Sequence, residues 1–200
     1  MSVVLFSVPK HSIHLFINRH YSAGTDYFFK YITYLGDGIT PFLLAIIILL
    51  FFSIRNAIQV ALGGTLAGLL AQFFKRILFP DMERPFAAFK NLPEFHIVEG
   101  IDIHMSHSFP SGHAATIFAM CLIIAGFTEN KILKLLLFLI ALVVSFSRVY
   151  LSQHFLIDML AGTFLGVLSA IVVAGSLNRN KVKWMNHSIV QAIKLKARNE

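Results

Sequence analysis

A short, otherwise apolar stretch of this sequence carries an arginine, a histidine and an aspartate, at Arg148, His154 and Asp158. Charged groups are costly in apolar surroundings, so their presence indicates a functional site. His154 and Asp158 are four residues apart, which would place both on one helix face. The carboxylate would then accept a hydrogen bond from one ring nitrogen and leave the other free as a nucleophile or a base. Arg148 would approach from the preceding helix with donors suited to a tetrahedral anion.

Two further polar segments have complementary chemistry. Lys75 and Arg84 add two positive charges, and a cluster of three cations suits a phosphate better than a single carboxylate. Ser111 and Gly112 precede an apolar run, so their backbone N–H groups at a helix start would form an anion site. His113 stands at that same helix start, where it could protonate a leaving oxygen. These parts are the ones needed for phosphoryl transfer through a phosphohistidine.

The composition indicates a membrane protein, because 56% of the 200 residues are hydrophobic and only 14% are charged. Five apolar runs are bracketed by charged residues or histidine, at 38–54, 56–74, 114–128, 135–147 and 159–178. A membrane-spanning helix needs about 20 apolar residues. The third and fourth runs reach that length only if His113 and Arg148 lie inside the membrane boundary. We therefore predict an all-α integral membrane bundle with five transmembrane helices.

The N-terminal part of the chain has a different pattern. Aromatic and aliphatic residues recur at helical spacing within 11–35, which predicts an amphipathic helix lying in the membrane interface, with Thr25 as its N-cap. The alternative is a sixth, imperfect span in the same region. We divide the chain into an interfacial segment (1–37), a transmembrane catalytic domain (38–176) and a basic cytoplasmic tail (177–200).

Threading five spans through a membrane sorts the charges by side. The whole net charge of +7 falls on one face, whereas the other face, which carries the polar segments described above, balances to zero. The positive-inside tendency places the basic face in the cytoplasm. The predicted site then faces outward, toward the periplasm if the protein lies in a bacterial inner membrane. This distribution explains the basic balance more simply than nucleic-acid binding does.

Two features concern packing. Gly162 and Gly166 form a small-xxx-small pair, which predicts a close approach between two helices. Cys121 is the only cysteine and lies in an apolar run, so we expect it to pack without forming an intramolecular disulfide.

Three ordered motifs give the chain a family resemblance. Ser147-Arg148, followed by five residues, His154, three residues and Asp158, resembles in full the third motif of the type 2 phosphatidic acid phosphatases (PAP2), integral-membrane lipid phosphatases. Residues 110–113, Pro-Ser-Gly-His, match the second motif. The first motif, a lysine, six residues and Arg-Pro, is altered, because eight residues separate Lys75 from Arg84. We interpret this as a two-residue insertion, with Arg76 as the alternative to Lys75.

The resemblance covers about residues 38–176 and implies specific roles. His154 would attack phosphorus while Asp158 stabilises the imidazolium, and His113 would protonate the leaving group and then activate water. Phosphate-binding roles are implied for Lys75, Arg84, Ser111, Gly112 and Arg148. No metal or other cofactor is implied. The expected partners are membrane lipids and a lipid phosphate, such as phosphatidylglycerophosphate, phosphatidic acid, undecaprenyl pyrophosphate or a lipid A phosphate, with no obligatory protein partner.

Several other interpretations compete with this one. A lone histidine–aspartate pair in a membrane could be a structural hydrogen bond or a proton relay. His104, His107 and His113 could bind zinc, but their spacing is irregular. Vanadium haloperoxidases share the motif set, although those enzymes are soluble. A noncatalytic lipid-phosphate binding or transport protein is the remaining alternative, and it would have little use for the complete set of His113, His154 and Asp158.

Overall fold

In the computed structural model of the protein, residues 10–179 and 182–191 are described, and within those ranges every regular element is helical. The all-α prediction is thereby confirmed. The helices are α1 (Lys10–Asn18), α2 (Ala23–Ile32), α3 (Thr40–Phe51), α4 (Ile54–Phe73), α5 (Pro85–Phe89), α6 (Gly112–Ala125), α7 (Lys131–Tyr150) and α8 (Leu156–Arg179). A 3-10 turn (Thr33–Gly36) follows α2, a π-helical turn (Phe74–Leu78) continues α4, and another 3-10 turn (Lys183–Asn186) comes after α8.

Each of the five predicted apolar runs contains a helix, but the helices differ in length. Among the described residues, three segments are long and apolar enough to cross a membrane alone: Ile54–Leu78, Lys131–Tyr150 and Leu156–Arg179. A fourth crossing arises if Ala23–Gly36 and Thr40–Phe51, which meet at an angle of 64°, form one broken span. The described residues thus give three or four candidate spans, and five remains a prediction.

The short helix α6 is the centre of the bundle. Every residue from Ala114 to Cys121 is buried, and α6 packs against α4, α7 and α8. The middle of this helix, which has 14 residues, is therefore enclosed by other helices. Its neighbour α7 reaches 20 residues because Arg148 lies inside the helix, as predicted. The positive charge of Arg148 is consequently held within the bundle.

The N-terminal part forms two short helices, α1 and α2, instead of one interfacial helix. Ser22 is the N-cap of α2, since its hydroxyl accepts a hydrogen bond from the Thr25 amide at 3.2 Å. The prediction that Thr25 is the cap is therefore wrong by three residues. Its hydroxyl instead accepts a hydrogen bond from the Ser22 amide at 2.9 Å, which completes a capping box.

The end of the bundle away from the polar segments is tied together by Arg55. This residue lies in the first turn of α4. Its side chain donates to Asn186 Oδ1 at 2.9 Å and to the Val182 carbonyl at 3.0 Å, beyond the end of α8. The first basic residue of the predicted cytoplasmic face therefore does lie beside the residues that follow α8. Of the basic residues of the predicted tail, Arg179 ends α8 and Lys183 begins the last 3-10 turn, whereas Lys181, Lys194, Lys196 and Arg198 lie outside the described residues.

Helices α6 and α8 approach each other through two glycines, as the small-xxx-small pattern predicts. A Cβ atom at Gly162 would lie 2.2 Å from the Ser111 carbonyl oxygen, and one at Gly166 would lie 2.3 Å from the Ala115 carbonyl oxygen. Both neighbours are backbone atoms, so neither can move aside without shifting the helix. The glycines therefore set the distance between α8 and the start of α6.

We expect Gly166→Ala to lower the thermal unfolding midpoint in detergent, because the added methyl group would push α8 away from α6 at a cost of about 1–3 kcal/mol. Gly175→Ala is the matched control, because Gly175 lies on the same helix and a Cβ atom there would meet nothing within 4 Å. Equal midpoints for the two variants would show that the close approach does not determine stability.

Candidate active site

The turn between α7 and α8 places His154. Two consecutive backbone amides, those of Gln153 and His154, donate to the Arg148 carbonyl oxygen at 2.9 and 3.0 Å. The chain thereby folds back over the end of α7, and His154 is only 2% exposed. Helix α8 begins at Leu156, so His154 lies just before the helix and not on it. The prediction that His154 and Asp158 share a helix face is wrong in this respect.

Asp158 lies in the first turn of α8 and faces His154 across the helix start. Its Oδ2 is 3.5 Å from His154 Nδ1, which is an ion-pair distance rather than a hydrogen bond. The same oxygen accepts hydrogen bonds from the Ser108 hydroxyl at 2.5 Å and from the Phe155 amide at 2.9 Å. A carboxylate at the third helical position often accepts from the N-cap amide in this way. Asp158 is therefore fixed by groups other than the histidine it faces.

Arg84 joins the loop after α4 to the turn that carries His154. One guanidinium nitrogen, Nη1, donates to the backbone and side-chain oxygens of Gln153, both at 3.1 Å, while Nε donates to the Ser106 carbonyl at 2.9 Å. Burial lowers the pKa of Arg84, but an arginine remains charged at neutral pH. These contacts hold the positive charge beside His154 before any anion arrives.

Lys75 lies in the π-helical turn at the end of α4 and is 7% exposed. Such turns occur frequently at functional sites. Its neighbour Arg76 is exposed and donates to Gln72 Oε1 at 3.3 Å. Both cations border a cavity of about 580 Å³, which is also lined by Arg84, His104, Met105, Ser106 and His107. Within this lining the charged side chains are all basic, so the cavity suits an anion.

Arg148 is half-buried, and its guanidinium is only partly hydrogen-bonded. Its Nη1 donates to Thr33 Oγ1 at 3.1 Å, whereas its Nε is buried without a hydrogen-bond partner among the described residues. Buried donors are normally paired, so an unpaired one at a cationic cluster is a candidate donor to a bound anion.

The segment before α6 differs from the prediction in one respect. The Ser111 amide donates to the Asp158 carbonyl oxygen at 2.9 Å, so it is not free to bind phosphate. The predicted phosphate contact through this amide is therefore wrong, and the residue instead joins α6 to α8. The Ser111 hydroxyl accepts from the Ala114 amide as the N-cap of α6. Gly112 is the first residue of that helix, and phosphate binding by its amide stays a prediction.

His113 occupies the first turn of α6, as predicted, and has a partner that the sequence analysis missed. Its Nε2 lies 2.7 Å from Asp37 Oδ1, between α2 and α3. Gln153 and Ser108 were also missed as positioning residues, although both adjoin recognised motif residues. Asp37 carried no such signal, because it lies 76 positions from His113 and borders an apolar run.

The electrostatic environment of His154 favours the neutral ring. Burial, followed by the positive charges of Lys75, Arg84 and Arg148, lowers the pKa of His154 well below its ordinary value. A neutral imidazole keeps the electron pair that a nucleophile needs. The same three cations would attract an anion toward the ring, so the arrangement is suited to attack on a phosphate.

A family model and two curated proteins match parts of this chain. The model of the PAP2 superfamily matches residues 56–181. Phosphatidylglycerophosphatase B of Bacillus subtilis (strain 168) is 37% identical over 79 residues, which cover 35% of this chain and 39% of the relative. The bacitracin transport permease protein BcrC of Bacillus licheniformis is 33% identical over 90 residues, covering 45% and 41%. The matches thus span about two fifths of the length of these curated relatives.

Two solved structures share the fold. The crystal structure of Aquifex aeolicus LpxE superposes with a TM-score of 0.70 at 25% identity, covering 82% of this chain and 93% of that one. The crystal structure of a transmembrane PAP2-type phosphatidylglycerolphosphate phosphatase from Bacillus subtilis superposes with a TM-score of 0.65 at 22% identity, covering 92% of this chain and 90% of that one. At its level of identity, the second likeness concerns the fold alone.

Proposed function

Because this chain belongs to the PAP2 superfamily, we propose that it is a membrane phosphatase that hydrolyses a phosphate monoester or a pyrophosphate of a lipid through a phosphohistidine. The observation that carries the proposal is that hydrogen bonds join the segments of the three motifs. Arg84, in the first segment, donates to Gln153 in the third, and Ser108 and Ser111, in the second, donate to Asp158 in the third. Convergence on one turn is what a shared phosphoryl site requires.

The nucleophile in this proposal is His154 Nε2, because Nδ1 faces Asp158. An N–P bond forms as the P–O bond to the leaving group breaks, and the electron pair of that bond goes to the leaving oxygen. Asp158 stabilises the imidazolium that develops, and we expect the 3.5 Å pair to shorten at this stage. Lys75, Arg84 and Arg148, with the Gly112 amide, bind the phosphoryl oxygens, on which charge is redistributed in the transition state.

The second histidine completes both half-reactions. His113 gives its proton to the leaving oxygen, which departs as an alcohol or a phosphate. It then takes a proton from water as the water oxygen bonds to phosphorus and the N–P bond breaks. Phosphate is released, and both rings return to their starting states. This alternation between acid and base is an economical use of one imidazole.

The cavity beside Lys75 is consistent with a substrate larger than one phosphate, since about 580 Å³ leaves room for an attached headgroup. The candidates remain phosphatidylglycerophosphate, phosphatidic acid, undecaprenyl pyrophosphate and a lipid A phosphate, because the motif residues hold the phosphate and not the lipid. The predicted charge distribution supports an inner-membrane location with the site facing the periplasm or the exterior.

A transport or binding role is the second candidate, favoured by the name of one relative, a bacitracin transport permease protein. Such a protein would bind a lipid phosphate without releasing phosphate. The two candidates therefore differ in a single measurable product.

We expect the purified protein in detergent to release phosphate from at least one of the four lipid classes without added metal. His154→Ala should lower the rate by about 10³-fold or more, because the nucleophile is lost. Asp158→Asn should lower it by at least about 10²-fold, while its amide oxygen still accepts from Ser108 and Phe155 and preserves the loop.

Size-exclusion elution and thermal unfolding should show that both variants fold. Wild-type rates in either folded variant would contradict the proposed mechanism. Saturable binding of the lipid by the wild type with no phosphate release would favour the transport or binding role instead.

The altered first motif gives a second test. Lys75→Met keeps an apolar stem but removes a buried charge beside the cavity, so kcat/KM should fall by about 10- to 100-fold. Arg76→Met removes an exposed charge and should change kcat/KM by less than about 5-fold. A larger loss for the Arg76 variant would show that the insertion is placed wrongly and that Arg76 fills the first-motif role.

A further inference from the structure

The segment between α2 and α3 contacts two of the proposed active-site groups, although it lies outside all three motifs. Thr33 is 4% exposed, and its hydroxyl accepts a hydrogen bond from Arg148 Nη1 at 3.1 Å. Four residues later, Asp37 Oδ1 lies 2.7 Å from His113 Nε2. One short segment therefore contacts both a phosphate-binding arginine and the proposed acid.

The backbone of this segment is shaped for the contact with His113. A Cβ atom at Gly36 would lie 3.0 Å from His113 Cβ and 3.1 Å from its Cδ2, and also 3.1 Å from a methyl group of Val144. Any side chain at Gly36 would therefore crowd the ring. The glycine lets the backbone pass beside the imidazole, so that the next residue, Asp37, can meet its Nε2.

A carboxylate at this distance has a defined chemical effect on the ring. It keeps a proton on Nε2 and leaves Nδ1 as the nitrogen that exchanges a proton with a substrate. It also stabilises the doubly protonated ring, which is the form that acts as an acid. Burial of His113 and the positive charges of Arg148 and Lys75 oppose that form. Asp37 is the acidic group that acts in the other direction at this histidine.

We propose that Asp37 is a positioning residue for His113, orienting the ring through Nε2 so that Nδ1 delivers the proton to the leaving oxygen. The proposal rests on the proposed function, in which His113 is the general acid. His113 and Asp37 thus form a second histidine–carboxylate pair beside His154 and Asp158. Each of the two proposed catalytic imidazoles then has its own carboxylate.

The test compares two leaving groups. An alkoxide leaving from a lipid monophosphate needs a proton, whereas the nitrophenolate of p-nitrophenyl phosphate leaves without one. Asp37→Asn should therefore slow phosphoenzyme formation from the lipid by about 10- to 100-fold, with KM little changed. The pre-steady-state burst of nitrophenolate should change by less than about 3-fold.

The pH profile gives an independent readout. Loss of the carboxylate disfavours the protonated ring, so the alkaline limb of kcat for the lipid should move to lower pH in Asp37→Asn. Asp37→Glu should partly restore both the rate and the position of that limb. Asp81→Asn is the matched control, since it removes the same charge from an exposed position on the loop after α4.

Equal losses with both leaving groups, or no loss with either, would overturn the proposal, as would an unchanged alkaline limb. If Asp37→Asn does not fold, Gly36→Ala tests the same contact, because it displaces the ring while keeping the carboxylate and should show the same dependence on leaving group. Failure of the proposed function is distinguishable, since the wild type would then form no phosphoenzyme from either substrate.

Discussion

Three positive charges, on Lys75, Arg84 and Arg148, converge within an apolar helical bundle, and the rest of the site depends on how they are held. Lys75 and Arg84 are buried, and Arg148 is half-buried. An uncompensated buried charge is strongly destabilising. Arg84 is satisfied by oxygens of Gln153 and Ser106, but Arg148 keeps a buried, unpaired Nε. The cluster is therefore only partly neutralised by the described residues. An incoming phosphate would supply the missing acceptors, which ties the stability of the cluster to its proposed function.

The charges stay together because backbone and side-chain hydrogen bonds connect segments far apart in sequence. The Ser111 amide fixes the start of α6 to α8, and the close approach at Gly162 and Gly166 keeps those helices at backbone distance. The backbone amides of Gln153 and His154 donate hydrogen bonds to the Arg148 carbonyl oxygen near the end of α7. Support of this kind would keep the proposed nucleophile and its anion site in register.

The sequence predicted the site best where charged side chains occur within apolar runs. Arg148, His154 and Asp158 are identifiable because charged residues are rare in apolar runs, and the glycine pair is identifiable from its spacing. The bounds of α8 were not predicted, because Asp158 bonds to the Phe155 amide and starts the helix after His154. Asp37 was missed for a different reason, since an aspartate beside glycine at the edge of a hydrophobic run is typical of an ordinary helix boundary. Only the tertiary fold brings it to His113.

The most direct test of this account is to trap and locate the covalent intermediate. The protein would be mixed with p-nitrophenyl phosphate labelled in the transferred phosphate, whose leaving group needs no proton from His113, then quenched in alkali and digested, because a phosphoramidate bond survives alkali and is cleaved by acid. The account predicts an acid-labile phosphoryl group on the peptide containing His154, enriched in a His113→Asn variant that cannot activate water. Label on another residue, or phosphate release with no trapped intermediate in either protein, would contradict nucleophilic attack by His154.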